Sequence, residues 1–234
     1  MMRGYFVTGT DTEVGKTFAA AALLARAGSQ GLRTAAWKPI AAGAQATEQG
    51  LRNDDALSLM AACNQQLPYE VVNPVCLAPA IAPHIAAVEE GVELSVANLV
   101  PAFQPIVACG AEFFLVEGAG GWRVPLNEKE TFADLAIALG LPVVLVVAMR
   151  LGCINHALLS AEAVVRDGLQ LAGWIANQPT ASRMARCGEN LETLRHLLPA
   201  PLLGELPYIS GSDFRAAAPI LRLPWEVEGP GLAL

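Results

Sequence analysis

Positive charge is scarce in this sequence. Lys and Arg number 15 against 22 Asp and Glu, which gives a formal net charge of −7 and a pI of about 5.0. The basic residues stand singly along the chain. A protein that binds nucleic acid or an anionic membrane through its overall field needs clustered cations. We therefore expect no nucleic acid and no membrane as partner, and any phosphate must be bound by a local site.

Long apolar runs and regularly spaced cysteines are lacking as well. The longest apolar stretches, such as 141–149, fall short of the ~18 residues that a membrane span needs. The amino terminus turns polar within a few residues, unlike the apolar core of a signal peptide. Five widely spaced cysteines favour free thiols over a disulfide framework or a clustered metal site. These absences predict a cytoplasmic protein.

Histidine is rare, with His84, His156 and His196 the only examples. Their spacing to one another and to the cysteines does not suggest a metal site. No Ser-His-Asp or Cys-His order indicates a hydrolytic nucleophile. His84, which follows Pro83 in a predicted loop, is the histidine that we expect closest to a ligand.

A strand, a loop and a helix at the amino terminus predict a phosphate-binding P-loop. The apolar residues 5–7 lead into the segment Gly9-Thr10-Asp11-Thr12-Glu13-Val14-Gly15-Lys16-Thr17. In a P-loop, backbone N–H groups and the helix start bind phosphate, a lysine adds charge and a hydroxyl binds magnesium. The spacing between the glycines is one residue longer than usual. The alternative is an ordinary loop in which Asp11 or Thr12 caps the helix, but it leaves Lys16 and Thr17 without a role.

The rest of the chain alternates between strand and helix patterns. Its 234 residues suit one domain spanning 1–234. Nearly continuous apolar runs predict buried parallel strands at 5–8, 34–38, 113–117, 143–148 and 171–177. Helical periodicity predicts helices at 17–27, 54–63, 131–139 and 155–166. This alternation predicts an α/β fold, with a doubly wound, mainly parallel sheet flanked by helices as in P-loop NTPases.

Two regions interrupt this alternation. The proline-rich stretch 68–105 is predicted to be a mixed segment that covers one edge of the site. The tail beyond Pro199 has many prolines and weak periodicity, and its structure is the least predictable part of the chain.

Polar residues end several predicted strands, where ligands bind in an open parallel sheet. Glu117 follows an apolar strand and precedes glycines, which favours a carboxylate near magnesium; a carboxylate that caps the loop is the alternative. Lys38 ends a strand that we expect beside the P-loop strand, where it could neutralise a transferring phosphoryl group. A solvated surface lysine fits its local sequence equally well. Taken alone, the acidic residue Asp55 at a predicted helix start is explained by its favourable interaction with the helix dipole. The helix start at 152–155 fits an anion site or ordinary turn chemistry.

Four segments together resemble the dethiobiotin synthetase family, namely 9–17, 37–39, 116–121 and 151–156. The extra residue in the P-loop is typical of that family. Further similarity at 50–56 and 199–205 spreads the resemblance over nearly the whole chain.

The resemblance implies an ATP- and Mg²⁺-dependent cyclo-ligase. In its reaction 7,8-diaminononanoate captures CO2, supplied from bicarbonate, as a carbamate, and ATP then phosphorylates that carbamate. The second amine displaces phosphate and closes the ureido ring of dethiobiotin. The resemblance also implies a homodimer in which the two subunits share each active site.

The resemblance assigns roles residue by residue. The catalytic residues are Lys38, Lys16 and Thr12, the two lysines steadying the charge of the carbamate and the phosphoryl group. The Mg²⁺ ligands are Thr17, Asp55 and Glu117. ATP contacts Glu13, Val14, Gly15, Lys16, Thr17, Phe18, Asp55, Glu117, Gly118, Ala119, Gly120, Asn177, Gln178, Pro207, Tyr208 and Ile209. Asn177 faces the adenine. The substrate lies near Ala42, and its carboxylate is received by the neighbouring subunit at Gly152, Cys153, Ile154 and Asn155.

Two positions depart from the family pattern. Ala42 stands where a hydroxyl is frequent, so we predict no side-chain role for it, and Gln178 stands where Asp commonly follows Asn, which leaves base recognition there open. Two rival functions fit this sequence less well. Relatives of cobyrinic acid diamide synthase carry an added glutaminase domain, for which we see no counterpart in this sequence. Partitioning-type switch ATPases carry a lysine early in the P-loop, which is absent at 9–15, and the acidic net charge also disfavours a switch that binds DNA.

Overall fold

The computed structural model describes residues 2–227, so the last part of the tail, 228–234, lies outside the described residues. Its strands are β1 (Arg3–Gly9), β2 (Thr34–Trp37), β3 (Ile40–Ala42), β4 (Gln45–Thr47), β5 (Gly50–Arg52), β6 (Val75–Leu77), β7 (Phe113–Gly121), β8 (Val143–Ala148), β9 (Leu171–Asn177) and β10 (Leu202–Leu206). Its helices are α1 (Lys16–Ser29), α2 (Asp54–Ala62), α3 (Tyr69–Val72), α4 (Pro83–Glu89), α5 (Val96–Ala102), α6 (Gln104–Ala108), α7 (Phe132–Leu139), α8 (Cys153–Arg166), α9 (Cys187–Leu197) and α10 (Phe214–Ala217).

Six strands form one parallel sheet in the order β10-β9-β8-β1-β7-β2. Successive residues of a strand point to opposite faces, and here both faces are covered. Phe6 belongs to the apolar cluster shared with α7 and α8, whereas its neighbour Val7 belongs to the cluster shared with α1. Burial on both faces explains why the strand sequences are continuously apolar, and it confirms the predicted fold class.

The five predicted strands and four predicted helices are all present. The strands predicted at 143–148 and 171–177 have the predicted ends, whereas β7 continues to Gly121, beyond the predicted end at 117. The strand that ends before Lys38 was expected beside the P-loop strand, and this expectation is wrong, because β7 lies between β1 and β2. His84 lies in helix α4 and not in a loop, because Pro83 occupies the first helical turn, where a proline needs no N–H partner.

The sequence patterns did not predict the elements in which buried residues alternate irregularly with more exposed ones. β10, at the edge of the sheet, has only two buried residues, Leu203 and Leu206, and α9 was not predicted either. Two small sheets, β3 with β6 and β4 with β5, consist of strands of three residues each. The stretch 68–105 is indeed mixed, since it contains α3, β6, α4 and α5.

The cysteines, which all lie between 63 and 187, are free thiols. Within the described range 2–227, none of the helices is both long enough and apolar enough to cross a bilayer. The cytoplasmic location and the single domain spanning 1–234 stay predictions.

The contact between β9 and β10 depends on a glycine. A Cβ atom at Gly173 would lie 2.7 Å from Cγ and from Cδ2 of Leu203, a residue with no exposed surface. We expect Gly173→Ala to lower the free energy of unfolding by about 1–3 kcal/mol, because the buried leucine must shift to admit the methyl group. Urea unfolding measures this change.

Gly188→Ala is the matched control. Gly188 lies in α9, and apart from its chain neighbours and the nearby backbone of its own helix no described atom is within 4 Å of the position of its added Cβ. Alanine also has the higher helix propensity, so this variant should be as stable as the parent or more so. Equal stability of the two variants would contradict the close approach at Gly173.

Candidate active site

A cleft of about 900 Å³ lies at the carboxyl ends of β1, β2, β7 and β9. Small-molecule sites commonly enclose about 300–1,000 Å³, so this volume suits a nucleotide together with a second small substrate. Because all four strands run parallel, the loops that follow them meet at one edge of the sheet. The cleft therefore gathers residues of three of the four motif segments, namely 9–17, 37–39 and 116–121.

The loop after β1 has the backbone conformation of a tight turn. Gly15 has a φ of 85°, and a Cβ atom there would lie 2.2 Å from Nδ2 of Asn177. That amide nitrogen donates to the carbonyl oxygen of Val14 at 2.8 Å. Helix α1 begins at Lys16, and the N–H groups of a first helical turn have no partners within the helix. The loop and the helix start thus present N–H groups at the cleft, as an anion site requires.

Lys16 is the cation of this loop. Its side chain is buried and Nζ donates to the carbonyl oxygen of Asp11 at 3.3 Å. Burial, and secondarily the nearby charge of Lys38, lower the pKa of Lys16 to about 8. An anion bound beside Lys16 would favour the charged form of its side chain.

A second cation, Lys38, lies between two carboxylates. Its Nζ is 2.6 Å from Oε1 of Glu117 and 3.3 Å from Oδ2 of Asp55, and it also donates to the carbonyl oxygen of Gly118 at 3.2 Å. Burial alone would lower the pKa of Lys38, but Glu117 and Asp55 raise the pKa above its usual value. Burial likewise opposes ionisation of Asp55, yet Lys38 lowers the net pKa of that carboxyl. Lys38 and Asp55 are therefore both held in their charged forms.

The oxygen atoms around Lys38 fit a magnesium ion. Thr17 donates its hydroxyl to Oε1 of Glu117 at 2.9 Å, which brings the P-loop hydroxyl to the two carboxylates. Oε2 of Glu117 is buried and has no hydrogen-bond partner among residues 2–227. Mg²⁺ takes oxygen ligands and is commonly bound through one or two carboxylates plus substrate phosphates. No group of three His, Cys, Asp or Glu side chains in the described residues is placed to bind a metal.

Most of the residues predicted to bind ATP line the cleft. These are Glu13, Gly15, Lys16, Thr17, Phe18, Asp55, Ala119, Gly120, Asn177, Gln178, Pro207, Tyr208 and Ile209. Thr12, Lys38 and Ala42 line it too. Val14 and Gly118 do not, and each instead offers its carbonyl oxygen to a side chain of the site, Asn177 and Lys38 respectively. Glu117 is fully buried and reaches the cleft through Thr17 and Lys38.

The two residues at the end of β9 differ in what they can offer a base. Asn177 uses its amide nitrogen on the P-loop, while its buried Oδ1 has no hydrogen-bond partner in the described part of the chain. Gln178 donates its amide nitrogen to the carbonyl oxygens of Thr180 and Ser182. The side chain of Gln178 therefore stabilises its own loop, and the oxygen of Asn177 remains for a ligand.

The segment predicted to receive the substrate carboxylate does not reach this cleft. Gly152 is the N-cap residue of helix α8 and has a φ of 96°, Cys153 is buried in the core, and Asn155 is exposed. None of these residues, nor Ile154, is among those that line the cleft of the same chain. Within one subunit the structure thus separates 152–155 from the other predicted site residues.

Several cleft residues had no signal in the sequence. Ala80, Ile81 and Pro83 line one side, which confirms that the proline-rich stretch covers an edge of the site, and Ser212 and Phe214 come from the tail. The expectation for His84 is wrong for this cleft, since that side chain lines a separate cavity beside 125–128. These five residues carry no pattern that marks a binding site in the sequence, and the fold brings them together at the cleft.

Comparisons with known proteins give the family. Residues 3–215 match the family model described as an AAA domain. A protein of Pseudomonas paraeruginosa named ATP-dependent dethiobiotin synthetase BioD is 59% identical over 224 residues, which cover 95% of this chain and 97% of the relative. A protein of the same name from Marinobacter nauticus is 50% identical over 209 residues, 89% of each chain.

Two solved structures share the fold. The septum site-determining protein MinD of Pyrococcus horikoshii, complexed with Mg-ADP, has a TM-score of 0.54 at 16% identity, covering 88% of this chain and 82% of its own. The cell division ATPase MinD of Pyrococcus furiosus has a TM-score of 0.53 at 18% identity, covering 88% and 84%. At these identities the likeness shows the fold alone. The sequence relatives go further, and by them this chain belongs to the AAA domain family and to the ATP-dependent dethiobiotin synthetases.

Proposed function

We propose that this protein carboxylates 7,8-diaminononanoate with CO2 and closes the ureido ring of dethiobiotin, converting ATP to ADP and phosphate. The observation that carries the proposal is the convergence of the P-loop, Lys38, Asp55 and Glu117 in one cleft. It occurs in a chain 59% identical to a protein named as such a synthetase.

The P-loop is assigned to the phosphates of ATP. The N–H groups of the loop and of the α1 start bind the phosphate oxygens, and Lys16 supplies a positive charge beside them. Thr17, Asp55 and Glu117 would hold Mg²⁺. The metal, when bound, offsets the negative charge of the phosphates during transfer. Asn177 is assigned to the adenine through its unpaired oxygen.

Lys38 and Thr12 are assigned to the group that is transferred. A carbamate and a phosphate both carry negative charge, and a cation between them offsets a repulsion that grows as water is excluded. Lys38 suits this task because its carboxylate partners keep it protonated although it is buried. Thr12, exposed at the cleft, offers a hydroxyl for a hydrogen bond to the same group.

Phosphate release tests the proposed reaction and the P-loop together. With diaminononanoate, bicarbonate, Mg²⁺ and ATP all present, the protein should release phosphate, and omission of any one should abolish release. Lys16→Ala and Thr17→Val should each lower turnover at least a hundredfold, because they remove a charge at the phosphates and a metal ligand. Steady ATP hydrolysis without the diamine would favour a switch ATPase, and near-normal turnover in either folded variant would contradict the P-loop assignment.

Lys38 should affect turnover more than ATP binding. We expect Lys38→Ala to lower kcat by on the order of a hundredfold or more, because a group that acts on the transition state contributes little to ground-state binding. Lys38→Arg should not restore full activity, since a planar guanidinium replaces a compact ammonium. Phosphate release gives kcat, and calorimetry gives the Kd for ATP. If Lys38→Ala weakens ATP binding but keeps saturated turnover, Lys38 is a nucleotide ligand.

We further propose a homodimer in which 152–155 completes the site of the partner subunit. Two observations support this proposal. The start of α8 lies outside the cleft of its own chain, and the neighbouring Leu151 is 92% exposed. In the dimer the N–H groups at this helix start would bind the carboxylate of the diamine substrate.

Complementation tests the shared site. Light scattering should give twice 24.5 kDa, and Lys16→Ala and Asn155→Ala should each be impaired alone. After subunit exchange, a mixture of the two variants should regain activity, because a mixed dimer contains one site free of both changes. A fully active monomer would contradict the proposal.

A further inference from the structure

A chain of buried hydrogen bonds lies behind the candidate active site. Asn73 donates its Nδ2 to the carbonyl oxygen of Lys38 at 2.7 Å and to that of Val75 at 3.0 Å. Its Oδ1 accepts from the hydroxyl of Tyr69 at 2.9 Å. The same hydroxyl accepts from the main-chain N–H of Asn53 at 2.8 Å. The segment that carries Lys38 is thereby joined to the loop that precedes α2.

The other end of this chain of hydrogen bonds holds the start of α2. Oδ1 of Asn53 accepts from the main-chain N–H groups of Asp55 at 3.0 Å and Ala56 at 3.4 Å, so Asn53 caps the helix. Nδ2 of Asn53 donates to the carbonyl oxygen of Ala42 at 3.2 Å. Asp55 and Ala42 both line the cleft. Their main chains are therefore connected to that of Lys38 through side chains that do not line it.

The three side chains that form this chain of hydrogen bonds are buried. The exposed fractions of Asn53, Tyr69 and Asn73 are 7%, 7% and 2%. Each of their polar side-chain atoms has a partner, and Cys76 Sγ also lies 3.3 Å from the Tyr69 hydroxyl. A fully paired buried network favours one geometry, because any displacement leaves a polar group without a partner. The N–H of Lys38 adds a further constraint by donating to the carbonyl oxygen of Val72 at 2.8 Å.

We propose that Tyr69 and Asn73 are positioning residues for phosphoryl transfer, an inference that rests on the proposed function. They hold the main chain of Lys38 in register with the start of α2, so that Nζ stays between the carboxylates of Asp55 and Glu117. Neither residue contacts the cleft. Their effect on the reaction is therefore exerted through Lys38, whose placement has to be accurate to about 1 Å for efficient transfer.

Removal of one hydroxyl tests the inference. Tyr69→Phe leaves the N–H of Asn53 and Oδ1 of Asn73 unpaired, and we expect kcat to fall about tenfold while the Kd for ATP changes less than twofold. Tyr5→Phe is the matched control, because it removes a hydroxyl near the amino end of the central strand β1, whereas the cleft lies at the carboxyl ends of the strands. Its kcat should equal that of the parent. Asn73→Ser, made in parallel, should show the same separation of kcat from Kd if Tyr69→Phe does not fold.

A double variant separates positioning from general destabilisation. In the Lys38→Ala background the group that Tyr69 positions is absent, so Tyr69→Phe should lower kcat less than twofold further. A tenfold loss in both backgrounds, or an unchanged kcat for Tyr69→Phe in the parent, would overturn the inference. A parent protein without diamine-dependent phosphate release would overturn the proposed function, and the inference with it, whereas the other results concern Tyr69 and Asn73 alone.

Discussion

The buried ion pair between Lys38 and Glu117 is the interaction on which the candidate site depends. Moving two charges out of water costs several kcal/mol per ion, and the pair repays this only with short contacts and further hydrogen bonds. Here the N–O distance is 2.6 Å. Asp55 and the Gly118 carbonyl contact Lys38, and the Thr17 hydroxyl contacts Glu117. Removing either charged partner would leave the other charge buried, so this pair constrains the loops that surround it.

The strand order makes this pair possible. Because β7 lies between β1 and β2, Glu117 faces the P-loop on one side and the segment after β2 on the other. It accepts hydrogen bonds from Thr17 and Lys38, which follow those two strands. With β2 directly beside β1, as expected from the sequence, Lys38 would have met the P-loop without this carboxylate. Glu117 therefore connects the P-loop to Lys38, the residue proposed to act on the transferred group.

What the sequence predicted is local, and what it missed depends on strand order. The apolar strands and the P-loop were predictable because burial on both faces and a phosphate-binding turn each impose a pattern on consecutive residues. No pattern in consecutive residues indicates where β7 lies in the sheet, or that β10 forms its edge strand. The same holds for Tyr69 and Asn73, which occur in a proline-rich stretch without periodicity. Their hydrogen bonds to Asn53 and Lys38 span 16 and 35 positions, so only the folded chain reveals them.

The charges around the cleft favour ATP bound together with a divalent cation. Lys16 and Lys38 face the carboxylates of Glu13, Asp54 and Asp55 along the lining, with Glu117 immediately beneath. Lys38 is already paired with two of these carboxylates, so Lys16 is the other lysine along the lining. A nucleoside triphosphate entering alone would add more negative charge to a site that has no excess of cations. A magnesium ion held by Thr17, Asp55 and Glu117, as proposed, would offset that charge, and it would suit Oε2 of Glu117, which has no partner among residues 2–227. Under the proposed function, the carboxylates that raise the pKa of Lys38 would also supply the oxygen ligands of the metal that accompanies ATP.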